Sequence, residues 1–235
     1  MGVIAARRAL VALAGTLPDR AVLEDLRREH ATLVAADGAA IALDALGMRP
    51  DVVIGDLDSI GSLRGALEES GATVVEEASQ ESNDFEKALV WIAESGLVAA
   101  TVVGIDGGMI DHTLNNFSVL ARHARRLELT IRSADAIGYC IAGRDTEDDT
   151  DTTGDRRTGH LELDAAEGER VSLIPLPSAR VTTRGLAWEL TDETLAIGIR
   201  DGASNRALGV RVRVEVSEGV LLVVHFPGAM ARFGG

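Results

Sequence analysis

The sequence predicts a two-part α/β protein: an N-terminal α/β domain with a mostly parallel sheet over 1–134, then a C-terminal antiparallel β-sandwich domain over 135–235. Three observations carry this reading. Up to about residue 133, short β runs alternate with amphipathic helical stretches, the pattern of repeated β-α-β units with right-handed crossovers. Those β runs are almost continuously apolar, as strands covered on both faces are. Beyond a polar segment at 144–157, helical periodicity stops and short alternating runs follow, most of them separated by Gly or Pro.

The strands of the first part are expected at 10–14, 32–36, 51–54, 73–75, 101–104 and 129–131. Pro18 precedes a helix over 19–30, and Gly47 closes one over 39–46. A helix over 83–95 opens with the Asn83-x-x-Glu86 spacing of a capping box and stops at Gly96. A last helix, 111–126, carries its positive charge at the C-terminal end, where the helix dipole favours it. The second part reads as strands at 160–163, 170–174, 180–183, 195–199, 208–216 and 220–226.

Composition narrows the function. The 235 residues include 23 Lys plus Arg against 37 Asp plus Glu, a formal net charge of −14. That balance argues against binding to nucleic acid or an anionic membrane, which calls for a basic patch. It suits carboxylates that hold metal ions. The one cysteine, Cys140, leaves no internal disulfide, so a cytoplasmic location is expected. It lies in the apolar run 136–142 and reads as a small core residue rather than a nucleophile. The start imitates a signal peptide, but its apolar run, 9–14, is too short and reads as a buried first strand.

Three segments could carry chemistry. In Asp51-Val-Val-Ile-Gly-Asp-Leu-Asp-Ser59 a buried strand ends at Gly55, and Asp56 and Asp58 follow two apart at the sheet's carboxyl edge. In an extended segment that spacing points both side chains one way. Convergent carboxylates are costly without a cation between them, and Mg²⁺ prefers such oxygens and shares them with phosphates. The same acids also suit loop capping beside Ser59. In Ser82-Asn-Asp-Phe-Glu-Lys-Ala-Leu89, Asp84 and Lys87 share a face in the first helical turn. They read either as a metal-holding acid and a phosphate-binding ammonium or as a surface pair. In Gly104-Ile-Asp-Gly-Gly-Met-Ile-Asp-His-Thr-Leu-Asn-Asn116, Gly107 and Gly108 let backbone approach a ligand. Asp111, His112 and Asn116 then enter a helix whose N-terminus attracts anions; the alternative is that Asp111 is an N-cap and His112 a packing residue. No phosphate loop G-x-x-x-x-G-K-[ST] and no G-x-G-x-x-G fingerprint occurs.

These motifs resemble the thiamine pyrophosphokinase family. Ala36-Asp-Gly-Ala-Ala40, Pro50-Asp-Val-Val-Ile-Gly-Asp-Leu-Asp-Ser-Ile60, Asn83-Asp-Phe-Glu-Lys-Ala-Leu89 and Gly107-Gly-Met-Ile-Asp-His-Thr-Leu-Asn-Asn116 occur in that family's order. Val171-Ser-Leu-Ile-Pro175, Val181-Thr-Thr-Arg-Gly-Leu-Ala-Trp188 and Gly202-Ala-Ser-Asn205 extend the likeness through nearly the whole chain. The resemblance implies a homodimer, and transfer of a pyrophosphoryl group from ATP to thiamine, giving AMP and thiamine diphosphate. It implies that Asp56, Asp58 and Asp84 hold Mg²⁺ and that Lys87 contacts phosphates. Asp37 and Gly38 would line the nucleotide site with Gly107, Gly108 and Asn116. Asp111 would serve metal or substrate, and Ser204 and Asn205 the substrate. If a general base acts, Asp111 comes first and His112 second. Three residues depart from the family pattern: Met109 stands where Arg usually follows the double glycine, Asn83 where Thr often precedes the acid, and the first motif reads Asp-Gly-Ala-Ala-Ile. Two alternatives stay open, a pyrophosphokinase for a hydroxymethylpterin and a non-catalytic ATP- or thiamine-binding sensor. Trp188 reads as a sandwich-core anchor ahead of a ring-stacking surface.

Overall fold

The computed structural model describes residues 7–79, 81–143 and 159–230; the polar segment expected to be an exposed loop at 144–157 lies outside them. Two compact units result, Met1–Val119 with Arg126–Ala134, and Leu120–Arg125 with Asp135–Gly235. No helix among the described residues is long and apolar enough to cross a membrane.

The first unit contains strands β1 (Arg8–Ala12), β2 (Thr32–Ala36), β3 (Val52–Gly55), β4 (Thr73–Glu76), β5 (Ala99–Val103) and β6 (Glu128–Arg132). Between them run helices α1 (Arg20–Glu29), α2 (Ala39–Ala45), α3 (Leu63–Glu69), α4 (Asp84–Glu94) and α5 (Ile110–His123). The strands lie in the order β6-β5-β1-β2-β3-β4, and every neighbouring pair is parallel. Strands β1 to β4 step outward on one side, and β5 and β6 on the other. The order therefore reverses between β1 and β5, and α/β sheets bind ligands at such a switch, beyond the carboxyl ends of the strands.

Apolar side chains explain the layering. Leu10, Leu33, Ala35 and Val53 of the strands form one buried cluster with Leu23 of α1, Ala39, Ala40 and Leu43 of α2 and Leu67 of α3. Helix α4 lies against β2 and β3 and buries Phe85, Ala88, Leu89 and Ile92. Its N-terminus forms as the spacing predicted: Asn83 caps it, its side chain accepting from the Glu86 amide at 2.9 Å. Helix α3 was not expected; it is short and contains Gly65, which weakens any helical signal.

The second unit is antiparallel. It comprises β7 (Ile137–Ala142), β8 (His160–Leu163), β9 (Glu169–Arg184), β10 (Glu193–Ala196), β11 (Gly202–Arg206) and β12 (Val212–Met230). β12 pairs with β7, β8 and β9, and β9 also pairs with β10 and β11. The strands expected separately at 170–174 and 180–183 are one strand, β9, and those at 208–216 and 220–226 form much of β12. Register shifts at Val216/Glu218 and Gly219/Leu221 bend the pair. Val171, Leu173, Val181, Val214, Leu221 and Val223, from both halves of both strands, share one buried cluster. Cys140 lies within β7, and burial pushes its thiol up to about 12, which leaves it without nucleophilic character at neutral pH.

Candidate active site

Three carboxylates meet where β2 and β3 end. Asp37 follows β2, Asp56 and Asp58 follow β3, and one oxygen from each lies within 4.8 Å of the other two. The turn between the last two is not extended, as side-chain alternation would have it. Leu57 takes a left-handed φ of 62° and is buried, an uncommon conformation for a residue with a Cβ. Convergence is therefore made by a folded turn. Gly55 is required beneath it: a Cβ there would stand 2.7 Å from Asp37 Cβ and 3.1 Å from Asp84 Cγ.

Asp37 is the buried member, and its Oδ1 has no hydrogen-bond partner among the described residues. Burial pushes its carboxyl above the ordinary value, Asp84, Asp56 and Asp58 push the same way, and the Ser59 hydroxyl opposes them. Ser59 also stands 3.0 Å from Asp58 Oδ1 as a donor. A buried carboxylate with one unpartnered oxygen, grouped with two more acids, suits a hard divalent cation.

Asp84, grouped with Asp56 and Asp58 in the sequence reading, is placed differently. It adjoins Gly55, but its Oδ1 accepts from Lys87 Nζ at 3.0 Å, and it is Asp37 that completes the cluster of three. Only 5% of the Lys87 side chain is exposed, so the pair one helical turn apart is a held ion pair rather than a surface one. Asn116 is also engaged: its Oδ1 accepts from Asn83 Nδ2 at 3.4 Å, and its Nδ2 donates to the Ile105 carbonyl at 3.3 Å. It thereby ties the start of α4 to the loop after β5.

Asp111 and His112 occupy the first turn of α5 and both are exposed; Asp111 Oδ1 accepts from the His112 amide at 3.0 Å. Met109 is 62% exposed, so its side chain is not a core residue. Gly38 starts α2, with Ala14 Cβ 3.7 Å and Ser59 Oγ 3.9 Å from where its own Cβ would be. The sequence reading passed over Ala14-Gly15-Thr16, the loop after β1. It crosses the loop after β5 at backbone distance: the Gly15 amide donates to the Gly104 carbonyl at 3.0 Å and the Thr16 amide to Asp106 at 2.6 Å. The available signal was a glycine just past a buried strand.

In the second unit, Gly202–Arg206 is the strand β11. Ser204 is exposed with a left-handed φ of 60°. Asn205 is buried and spent on backbone, its Nδ2 donating to the Trp188 carbonyl at 2.7 Å and its Oδ1 accepting from the Trp188 and Arg206 amides. Trp188 is 53% exposed, which corrects its reading as a core anchor; the buried cluster takes Leu186 and Leu190 on either side of it.

Acids and one buried lysine beyond the carboxyl ends of a parallel sheet are the groups an α/β enzyme needs to handle metal-bound phosphates. Residues 23–131 match the family model described as "Thiamin pyrophosphokinase, catalytic domain", and residues 159–221 match "Thiamin pyrophosphokinase, vitamin B1 binding domain". Thiamine pyrophosphokinase 1 of Arabidopsis thaliana is 30% identical over 246 residues, covering 93% of this chain and 86% of the plant protein. The chain belongs to the thiamine pyrophosphokinase family. The crystal structure of thiamine pyrophosphokinase from Bacillus subtilis shares the fold with a TM-score of 0.74 at 21% identity, over 94% of this chain and 100% of that one. Thiamin pyrophosphokinase from Candida albicans does so with a TM-score of 0.73 at 16% identity, over 95% and 90%. These matches give no support to the hydroxymethylpterin enzyme or the sensor.

Proposed function

We propose that the chain transfers the pyrophosphoryl group of Mg·ATP to the hydroxyl of thiamine, giving thiamine diphosphate and AMP. The cluster of Asp37, Asp56 and Asp58 at the carboxyl edge of the sheet carries this reading, in a chain that matches both family models. The thiamine hydroxyl attacks the β-phosphorus of ATP and AMP leaves in line, a reaction that needs positioning and charge neutralisation more than covalent help. Asp37, Asp56 and Asp58 would hold the Mg²⁺, with Asp84 beside them. Bound there, the ion neutralises phosphate charge as it builds on the oxygens.

Lys87 adds a fixed positive charge, aimed by Asp84. Asn116 acts by holding the start of α4 and the loop after β5 in register. Asp111 accepts the hydroxyl proton in this scheme, and His112 is the alternative. Ser204 is assigned to the alcohol in this reading, and Asn205 holds the Trp188 turn. The active form in this reading is a cytoplasmic homodimer.

The deciding experiment measures AMP and thiamine diphosphate formed from ATP, with and without Mg²⁺, with a hydroxymethylpterin run in parallel. Mg²⁺-dependent AMP release with thiamine alone is expected. Release with the pterin instead, or ATP binding with no turnover of either alcohol, refutes the proposal.

A further inference from the structure

We infer that a cavity in the second unit, lined by the Glu169–His225 pair, binds a small organic ammonium, an amine head on an apolar body. The inference is independent of the reaction proposed above, which uses none of these residues. The cavity measures about 450 Å³, within the usual size of small-molecule sites. Two loops build most of it, 164–168 between β8 and β9 and 207–211 between β11 and β12. They are pinned to each other. The Gly168 amide donates to the Ala207 carbonyl at 2.9 Å, and Arg211 Nε donates to Asp164 Oδ1 at 3.1 Å. Gly209, at a φ of 73°, packs where a Cβ would stand 2.9 Å from Glu167 Cβ. The walls are therefore set before a ligand arrives.

The head group follows from His225. The residue is only 6% exposed, and its Nε2 lies 2.8 Å from Glu169 Oε2. Glu169 also accepts from the Gly228 and Ala166 amides, so it serves as an ionised acceptor and the ring hydrogen belongs on Nε2. In the neutral imidazole Nδ1 is then a lone-pair acceptor, and among the described residues it has no partner. An unmatched acceptor on a buried ring that lines a cavity calls for a donor. Charge selects the donor. Asp164 and Glu169 line the cavity against one guanidinium, Arg211, which is already bonded to Asp164 and Glu162. The surplus is negative, so a cationic N–H fits and a carboxylate does not. The body follows from Ala165, Ala166, Val210 and Pro227, the apolar part of the lining. Val210 is 57% exposed, an apolar surface that a ligand in the cavity would cover.

The test uses the intact protein and three probes of one shape: benzylammonium, benzyl alcohol and benzoate. Titrations are run at about pH 8, above the ordinary imidazole range. Calorimetry should give saturable binding of benzylammonium with a Kd of about a millimolar or below, the scale open to a fragment of its size. Benzyl alcohol should bind more weakly and benzoate not at all. In nitrogen NMR spectra of the histidine rings, benzylammonium should move the His225 Nδ1 signal, which is identified by its loss in His225→Gln. Val210→Trp, at an exposed position, places a larger side chain in the cavity. It should weaken benzylammonium by about tenfold or more while the melting temperature stays within a degree or two. Benzoate binding as tight as that of benzylammonium, a His225 Nδ1 signal that does not move, or an affinity that Val210→Trp leaves unchanged overturns the assignment. So does a wild type that binds none of the three probes.

Discussion

Lys87 Nζ donates to Asp84 Oδ1 at 3.0 Å, and the lysine is almost wholly enclosed. The two residues are three apart at the start of α4, so a single helical turn fixes where the ammonium stands relative to the acids after β2 and β3. Four carboxylates, Asp37, Asp56, Asp58 and Asp84, thus share one neighbourhood with a lysine held in place by one of them.

Replacing that lysine should therefore disable chemistry more than folding. Lys87→Met is expected to lower turnover by about a hundredfold or more, the scale of losing one aimed positive group at a reacting phosphate. Asp84→Asn should lower turnover too, and the double variant should cost less than the two effects multiplied together, because the pair acts as one unit. Multiplicative losses, measured by steady-state AMP release, would show that the residues act separately.

The cluster itself predicts opposite effects on activity and stability. Asp37→Asn and Asp58→Asn each remove one of several crowded like charges, and at Asp37 the charge is also desolvated. Each should reduce turnover by roughly 10²- to 10³-fold, while the melting temperature without metal holds or rises. Mg²⁺ should raise the melting temperature of wild type and lose that effect in both variants. Normal activity in Asp58→Asn, or a Mg²⁺ shift that survives both substitutions, would sink the metal assignment.

Much of this site is readable along the chain, and the remainder fails for identifiable reasons. Asp56 and Asp58 are legible because a buried strand stops at Gly55 immediately before them, and Asn83 because capping residues follow local rules. Asp37 as the third member is not legible as such: it is 19 residues from Asp56, and only the parallel pairing of β2 with β3 brings them together. The left-handed Leu57 leaves no mark in composition, so convergence was attributed to strand alternation. Long β9 and β12 read as two strands each because Pro175, Pro177 and Gly219 look like breaks, whereas the chain bends through them and continues. Trp188 reads as core from its size alone, yet Asn205 holds its turn so that the ring faces outward.

Met109 offers a gain-of-function test. Its side chain is 62% exposed, so an arginine there meets no packing obstacle. Met109→Arg should leave the melting temperature within a degree or two, as surface substitutions generally do, and should tighten ATP binding through a guanidinium placed next to the glycine loop. Unaltered ATP affinity with an unaltered fold would mean that Lys87 and the metal site already satisfy the phosphates.

The second unit has its own pH dependence, centred on Glu169 and His225. Glu169 Oε1 accepts from the Gly228 amide at 2.6 Å, and its Oε2 from the Ala166 amide at 3.0 Å and from His225 Nε2 at 2.8 Å. The Gly228 amide, with help from His225 and the Ala166 amide, holds this carboxyl below its ordinary value of 4.5, against the effect of burial. A carboxyl depressed in the folded state binds its proton less readily than in the unfolded chain. Its stabilising contribution is therefore complete above about pH 4.5 and is lost as pH falls through the lower, folded value. Urea midpoints measured from about pH 6 to about pH 3 should decline most steeply below the ordinary carboxyl value. Glu169→Gln should start from a lower midpoint at pH 6, because an amide nitrogen cannot accept from both the Ala166 amide and His225. It should also show a shallower acid decline, since the titrating group is gone. Parallel declines in wild type and Glu169→Gln would place the acid sensitivity elsewhere, among the exposed ion pairs of Arg211 with Asp164 and Glu162.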